Sequence, residues 1–288
     1  TISDAQLMSY DTYLFDADGC FPVFITSFPH YSQCMSHNIF EGKKVFIVTN
    51  NSTKTTAQYA KKTRDLGFSV IQESNIVSPN VVLVDYIKTQ TDISGKNVYL
   101  IGSKAVKESL ETGAGVKCFG IGPDPMPEDA MFLSSIDVAT PAAAVVVGYD
   151  PHFSYPKIMK AANYLSDHSV HFFITNEDYT FPVPDAAFVV PGTGCLSAAV
   201  RLAVLPRQPT VFGKPGKPLS DYLQRTYNIN PQKTIMFGDR LDTDIKFGND
   251  NGFATCWMPT GVHSAEDVQR AIDEKTDPNL VPAFTYTF

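Results

Sequence analysis

The chain has 288 residues, 30 Asp and Glu against 23 Lys and Arg, a net charge of −7 and 43% hydrophobic residues. That length fits two domains with cores of their own. An acidic balance without a dense Lys/Arg patch argues against nucleic-acid or membrane-surface binding and leaves small anionic ligands, which a few cations and backbone N–H groups can hold. The longest apolar run, Ala142–Val147, is far short of the ~18–20 residues that cross a bilayer. Five scattered cysteines (Cys20, Cys34, Cys118, Cys195, Cys256) without a CxxC pair fit a reducing compartment, so a cytoplasmic protein is expected. The HxxH pair His168 and His171 lacks partner ligands and reads as solvated or structural.

Short β-branched and aromatic runs alternate with helix-period stretches, the pattern of an α/β fold with parallel strands. Strands are expected at Tyr10–Phe15, Lys44–Val48, Val98–Ile101, Ala144–Val147, His171–Ile174, Thr210–Phe212, Thr234–Phe237 and Ala254–Trp257. Helices are expected at Thr53–Leu66, Asn80–Lys88, Lys104–Leu110, Tyr155–Leu165, Cys195–Val204, Lys217–Tyr227, Thr243–Asn251 and Ala265–Asp273. The interval between the second strand and Thr210 is too long for one crossover and predicts an inserted domain. Its boundaries fall near Ser94 and Pro206, giving a core of residues 1–94 and 206–288 around an insertion of residues 95–205.

Ligands of open α/β sheets bind beyond the carboxyl ends of the strands, where helix N-termini also point. The polar strand ends read YLFDADG, FIVTNNS, TVFGKPG and TIMFGDRLDTD. Asp16 and Asp18, followed by Gly19, and Asp239, followed by Asp242 and Asp244, would repel one another unless a hard cation sat among them, and oxygen ligands suit magnesium. One of Asp242 and Asp244 can instead cap the next helix. Thr49 and Asn50 offer a hydroxyl and an amide to phosphoryl oxygens, and Lys214 a positive charge; Asn51 and Ser52 are equally suited to helix capping.

In this order, DxDG, TNNS, GKP and GDRxDTD resemble the haloacid dehalogenase superfamily, specifically its 4-nitrophenylphosphatase and phosphoglycolate phosphatase type. The resemblance extends to VVGYDPHFSY, TNEDYTFP and PGTGCLSAAV. It implies a Rossmann-like parallel-sheet core with an inserted α/β cap. It also implies a magnesium-dependent phosphomonoesterase in which Asp16 is the nucleophile, Asp18 the general acid and base, and Thr49, Asn50 and Lys214 hold phosphate. Magnesium would be bound by Asp16, the Asp18 carbonyl and Asp239, supported by Asp242 or Asp244. The cap loop, with Asp178, Tyr179, Thr180 and Phe181, is implied to choose among small phosphorylated substrates. Phe181-Pro182, where pyridoxal phosphate phosphatases tend to carry His-Pro, favours 2-phosphoglycolate, with 4-nitrophenyl phosphate as an artificial substrate.

The segment after Gly19 departs from the family: Pro22, Phe24 and His30 replace residues that shape a flap over the nucleophile. That departure motivates a second expectation, a catalytically impaired paralogue that binds phosphorylated ligands or partners. A pyridoxal phosphate phosphatase and a sugar phosphotransferase are further alternatives. The resemblance also implies a homodimer through the cap. Cys20, beside the nucleophile, is the thiol expected to be redox-sensitive.

Overall fold

The computed structural model describes residues 1–18, 20, 42–66, 71–126, 136–181, 188–275 and 277–286. Pro22, Phe24, His30 and Pro182 lie outside the described residues. Parallel strands covered on both faces must be largely apolar, and in the central strands of this chain the polar residues are mainly at the strand starts, as at Lys44, Asn97 and His171. From the amino terminus come α1 (Asp4–Met8), β1 (Thr12–Phe15), β2 (Lys44–Val48), α2 (Thr56–Asp65), β3 (Ile76–Val77) and α3 (Pro79–Lys88). Then follow β4 (Asn97–Ile101), α4 (Lys104–Ala114), β5 (Lys117–Phe119), β6 (Ala144–Val147), α5 (Tyr155–Leu165), β7 (His171–Ile174), β8 (Thr180–Phe181), β9 (Val190–Pro191) and α6 (Thr193–Ala203). The last elements are β10 (Thr210–Val211), α7 (Lys217–Tyr227), β11 (Thr234–Gly238), α8 (Lys246–Asp250), β12 (Ala254–Trp257), α9 (Ala265–Glu274) and β13 (Phe284–Thr285). No described helix is long and apolar enough to cross a membrane.

The chain divides into two units, Thr1–Thr49 with Lys54–Ser78 and Lys214–Phe288, and Asn50–Thr53 with Pro79–Gly213. The first holds a parallel sheet in the order β13-β12-β11-β1-β2-β3. Phe15 of β1 lies opposite Phe237 of β11 on one side and Ile47 of β2 on the other, and the Phe15 and Phe237 rings stack at 4.8 Å. Strand order reverses at β1, which opens a crevice beyond its carboxyl end. Helix α2 begins later than the predicted Thr53. Thr55 is its cap, accepting from Gln58 N–H at 3.2 Å while Gln58 Oε1 accepts from Thr55 N–H at 2.8 Å. Asn51 instead closes a turn, its Oδ1 accepting from Thr53 N–H at 2.9 Å.

The second unit has its own parallel sheet, β10-β7-β6-β4-β5, and an antiparallel hairpin of β8 and β9. Tyr99, Val145, Val147, Phe172 and Ile174 form its core with α5 and α6. Helix α3 belongs to this unit, so the boundary expected near Ser94 moves back to Pro79, and the return expected near Pro206 comes at Gly213. Packing explains the shift. Tyr86 of α3 meets the rings of Phe173 and Phe212 edge-on at 5.7 and 5.2 Å. A Cβ on Gly113 of α4 would come within 2.7 Å of Val84, so glycine lets α3 and α4 approach closely. His171 is structural, its Nε2 lying 2.7 Å from Asp92 Oδ2.

At the end of β6, Asp150 pairs with Lys157 of α5, with side chains 1% and 0% exposed. Such a pair holds only while both charges are present, since either one alone would be buried without a partner. Lys157→Ala is expected to lower stability by about 3–5 kcal/mol, seen as a lower urea midpoint at an unchanged slope.

Candidate active site

Asp16 is the first residue beyond β1, and its N–H donates to Phe237 O at 2.9 Å, extending the ladder with β11 by one rung. Its carboxylate is thereby fixed at the crevice. Asp18 N–H donates to Asp16 Oδ2 at 3.2 Å. Thr49 follows β2 and Asp239 follows β11, so three adjacent strand ends carry these groups.

Lys214, 1% exposed, joins them. Its Nζ lies 2.7 Å from Asp16 Oδ1, 2.7 Å from the Val48 carbonyl and 2.7 Å from Asp244 Oδ1. Burial alone would strip the ammonium of its proton, but Asp16 and Asp244 outweigh burial and hold the lysine pKa above its ordinary value. Burial pushes the Asp244 carboxyl up; Lys214 opposes this, and repulsion from Asp16 and Asp239 adds to it. Asp239 is likewise raised by burial and by Asp16, and is partly relieved by Val262 N–H, which donates to its Oδ2 at 2.7 Å. Two glycines make room: a Cβ on Gly238 would collide with Asp244, and one on Gly261 with Asp239.

The predicted helix Thr243–Asn251 is replaced by a single π turn, Leu241–Ile245, running into α8. Asp244 and Ile245 N–H both donate to Arg240 O, at 3.0 and 3.1 Å, and Arg240 N–H returns a bond to Asp244 Oδ2 at 3.1 Å. The wider turn aims Asp244 at Lys214. Asp242 takes another direction: Arg240 grips it through Nε and Nη2 at 3.2 and 2.9 Å. Of the two supporting carboxylates expected from sequence, Asp244 joins the cluster, while Asp242 is paired with Arg240.

Two groups that the motifs did not indicate hold Asp18. Tyr59 Oη donates to Asp18 Oδ2 at 3.1 Å, and Lys62 Nζ to Oδ1 at 3.1 Å. Tyr59 and Lys62 stand three residues apart on α2 and so share a face, the only sequence signal they carry. Tyr59 is buried, its phenol pKa raised by desolvation and by Asp18, and its Oη also lies 3.4 Å from Thr49 Oγ1. Cys20 does not match the expectation of a redox-sensitive thiol. It is buried, its Sγ 2.9 Å from Met258 Sδ. Burial and then Asp16, Asp244 and Asp239 push its pKa well up, away from the reactive thiolate.

The other expected site residues lie in the second unit. Asn50, expected at phosphate, donates from Nδ2 to Asp178 Oδ1 at 3.0 Å. Tyr179 is 62% exposed. Thr180 and Phe181 form β8, and the Phe181 ring meets Tyr149 edge-on at 5.1 Å.

Among the described residues, no three Asp, Glu, His or Cys side chains already converge as a ligand cage. The donor set nevertheless suits a hard divalent cation. Asp16, Asp239 and Asp244 set three carboxyl groups around the single ammonium of Lys214, and the upward shifts of Asp239 and Asp244 mark a cluster with too little positive charge to keep all three ionised, a charge that a divalent cation would supply.

A family model described as haloacid dehalogenase-like hydrolase matches residues 13–117, and a second haloacid dehalogenase-like model matches residues 211–284. The chain is 51% identical over 250 residues, 85% of its length, to a putative NipSnap protein of Caenorhabditis elegans, of which it spans 47%. It is 37% identical over 272 residues to the glycerol-3-phosphate phosphatase of Mus musculus, covering 91% of this chain and 83% of that protein. To phosphoglycolate phosphatase 2 of Arabidopsis thaliana it is 35% identical over 263 residues, 90% of this chain and 86% of that one. Its fold is similar to the p-nitrophenyl phosphatase from Archaeoglobus fulgidus, with a TM-score of 0.75 at 22% identity, covering 97% of this chain and 96% of that one. A glycerol phosphate phosphatase from Mycobacterium tuberculosis, crystallised in complex with magnesium, gives a TM-score of 0.73 at 21% identity, covering 96% of this chain and 74% of that one. The chain belongs to the haloacid dehalogenase-like hydrolases, in their phosphatase branch.

Proposed function

We propose that the chain is a magnesium-dependent phosphomonoester hydrolase acting on small phosphorylated metabolites through an aspartyl-phosphate on Asp16, with 2-phosphoglycolate as the preferred substrate. The observation that carries this reading is the buried Lys214 among Asp16, Asp244 and the Val48 carbonyl. A nucleophilic carboxylate needs a fixed orientation and a neighbour that tolerates its negative charge, and Lys214 supplies both. Asp16, the Asp18 carbonyl and Asp239 would hold magnesium, with Asp244 behind them. The ion would contribute positive charge against that gathering on the phosphoryl oxygens.

In the first step an Asp16 oxygen bonds to phosphorus and the bond to the leaving oxygen breaks, while Asp18 passes its proton to that oxygen. In the second, Asp18 takes a proton from water as the water oxygen attacks phosphorus. The bond to Asp16 then breaks and inorganic phosphate departs. Thr49 and Lys214 stabilise the charge of the transferring group in both steps. Asp18 must reach the leaving oxygen first and the water afterwards, and the Tyr59 and Lys62 hydrogen bonds keep its carboxyl in one place for both. Tyr179, Thr180 and Phe181 would contact the substrate beyond its phosphate. Similarity to phosphoglycolate phosphatase 2 supports 2-phosphoglycolate, and similarity to glycerol-3-phosphate phosphatase supports glycerol 3-phosphate as a second reading. We further propose a cytosolic homodimer formed through the second unit, supported by its exposed Phe188, Val189, Leu202 and Leu205.

Hydrolysis of 4-nitrophenyl phosphate, 2-phosphoglycolate and glycerol 3-phosphate, with and without magnesium, tests the reaction. Turnover should require the metal and fall by more than roughly 10³-fold in Asp16→Asn; metal-independent turnover or an active variant would refute the mechanism. Tyr59→Phe should lower kcat about three- to tenfold with KM little changed, because it loosens Asp18 without removing it; an unchanged kcat would discard that role. Light scattering at micromolar concentration should return twice the 31.6 kDa chain mass, and a monomer would end the dimer proposal.

A further inference from the structure

Its place after β2 offers Asn50 to phosphate, and the family resemblance implies that Asp178 meets the rest of the substrate, yet within the second unit these two side chains hold each other. Asn50 Nδ2 donates to Asp178 Oδ1 at 3.0 Å. Asn176 ties the pair from both sides: its Nδ2 donates to the Asn50 carbonyl at 2.9 Å, and its Oδ1 accepts from Asp178 N–H at 3.1 Å. Asn50 and Asn176 are 6% and 1% exposed, so the bond between them is made away from water, where it is costly to lose, while the two bonds that Asp178 makes are half-buried.

Glycines close the cluster. A Cβ on Gly213 would lie 2.5 Å from Asn50 Oδ1 and 2.7 Å from the Thr175 carbonyl. Gly194 N–H donates to the Asp178 carbonyl at 2.8 Å; a side chain at Gly192 would collide with that carbonyl, and one at Gly194 with the carbonyl of Glu177. Asn50 and Gly213 are also the residues at which the chain enters and leaves this unit, next in sequence to Thr49 and Lys214. Asp178 leads directly into Tyr179 and β8, the segment proposed to read the substrate.

We propose that Asp178 is a positioning residue: held by Asn50 and Asn176, it fixes the placement of residues 179–181 and thereby the choice among phosphoesters, without its carboxylate touching substrate. The inference rests on the chain being a phosphomonoesterase. It differs from a direct role in a testable way, because a hydrogen-bond acceptor can replace a positioning carboxylate, whereas a carboxylate that reads substrate charge has no neutral substitute.

The quantity to measure on the full chain with magnesium is the ratio of kcat/KM for 2-phosphoglycolate to that for 4-nitrophenyl phosphate. A smaller folded fraction cannot move this ratio, and a contact to the phosphate shared by both esters cancels from it. Asp178→Ala and Asn50→Ala should each shift the ratio about tenfold, and the two combined no further, since they break the same bond. Asp178→Asn keeps an Oδ1 acceptor and should recover most of the lost selectivity. A shift in Asp178→Asn as large as in Asp178→Ala, or single shifts that multiply in the double variant, would overturn the proposal. If the wild type hydrolyses neither ester, the phosphatase reading fails separately, and amide hydrogen exchange across residues 178–181 decides the positioning role. Faster exchange in both Asn50→Ala and Asp178→Ala supports it, and unchanged exchange in Asn50→Ala rejects it.

Discussion

A lysine ammonium can be buried almost completely only where carboxylates and carbonyls replace its water, and Lys214 is held under that condition by Asp16, Asp244 and the Val48 carbonyl. Meeting it fixes much of the first unit. Asp16 and Val48 stand at the ends of β1 and β2, so those strands must be parallel and in register, as Phe15 against Ile47 makes them. Asp244 must reach the same point from beyond β11, which requires the π turn and a residue without a side chain at Gly238. The dependence is mutual: without Lys214, Asp16, Asp239 and Asp244 would be three clustered carboxylates lacking their nearest positive charge.

The sheet strands with buried, uninterrupted apolar runs were legible in the sequence. β2, β6, β7 and β12 have the predicted bounds, because such runs have no stable place except inside a parallel sheet. Of the two-residue strands, β10 lies inside the apolar run expected at Thr210–Phe212, whereas β3, β8, β9 and β13 were not expected, since a pair of residues outside a longer run has no period to read. Nor can helix pattern say which unit a helix serves. Helix α3 reads as an ordinary amphipathic segment, and only its contacts with Phe173, Phe212 and Gly113 place it in the second unit.

The site divides in the same way. Asp16, Asp18, Thr49 and Asp239 were visible because each follows an apolar strand of the first sheet, so backbone position alone brings them to one crevice edge; Lys214 follows β10 of the second unit's sheet, and its place among them comes from its ion pairs with Asp16 and Asp244. Asp242 and Asp244 could not be told apart, since a regular helix and a π turn aim residues two apart in different directions and sequence does not reveal which is present. Tyr59 and Lys62 look like ordinary residues of a capped surface helix. Their part emerges only where Tyr59 is buried with its hydroxyl directed at Asp18.

These constraints bear on where substrate choice can change. Any replacement at Asp16, Lys214 or Asp244 leaves a buried charge unmatched, and any side chain at Gly238 or Gly261 collides with a carboxylate. The composition of this charged cluster is therefore locked by its own packing and charge balance. Residues 179–181 carry no comparable charge balance: Tyr179 is exposed, and Thr180 and Phe181 pair with only two residues, Pro191 and Val190. A side chain there can be exchanged without unsettling the sheet, provided the loop keeps its place. The Asn50, Asn176 and Asp178 cluster supplies an anchor on one side of the loop, and the Gly194 N–H bond to the Asp178 carbonyl one on the other, neither using the side chains of residues 179–181. A fixed base beneath an exposed tip is the arrangement in which tip residues can change at little cost to the fold.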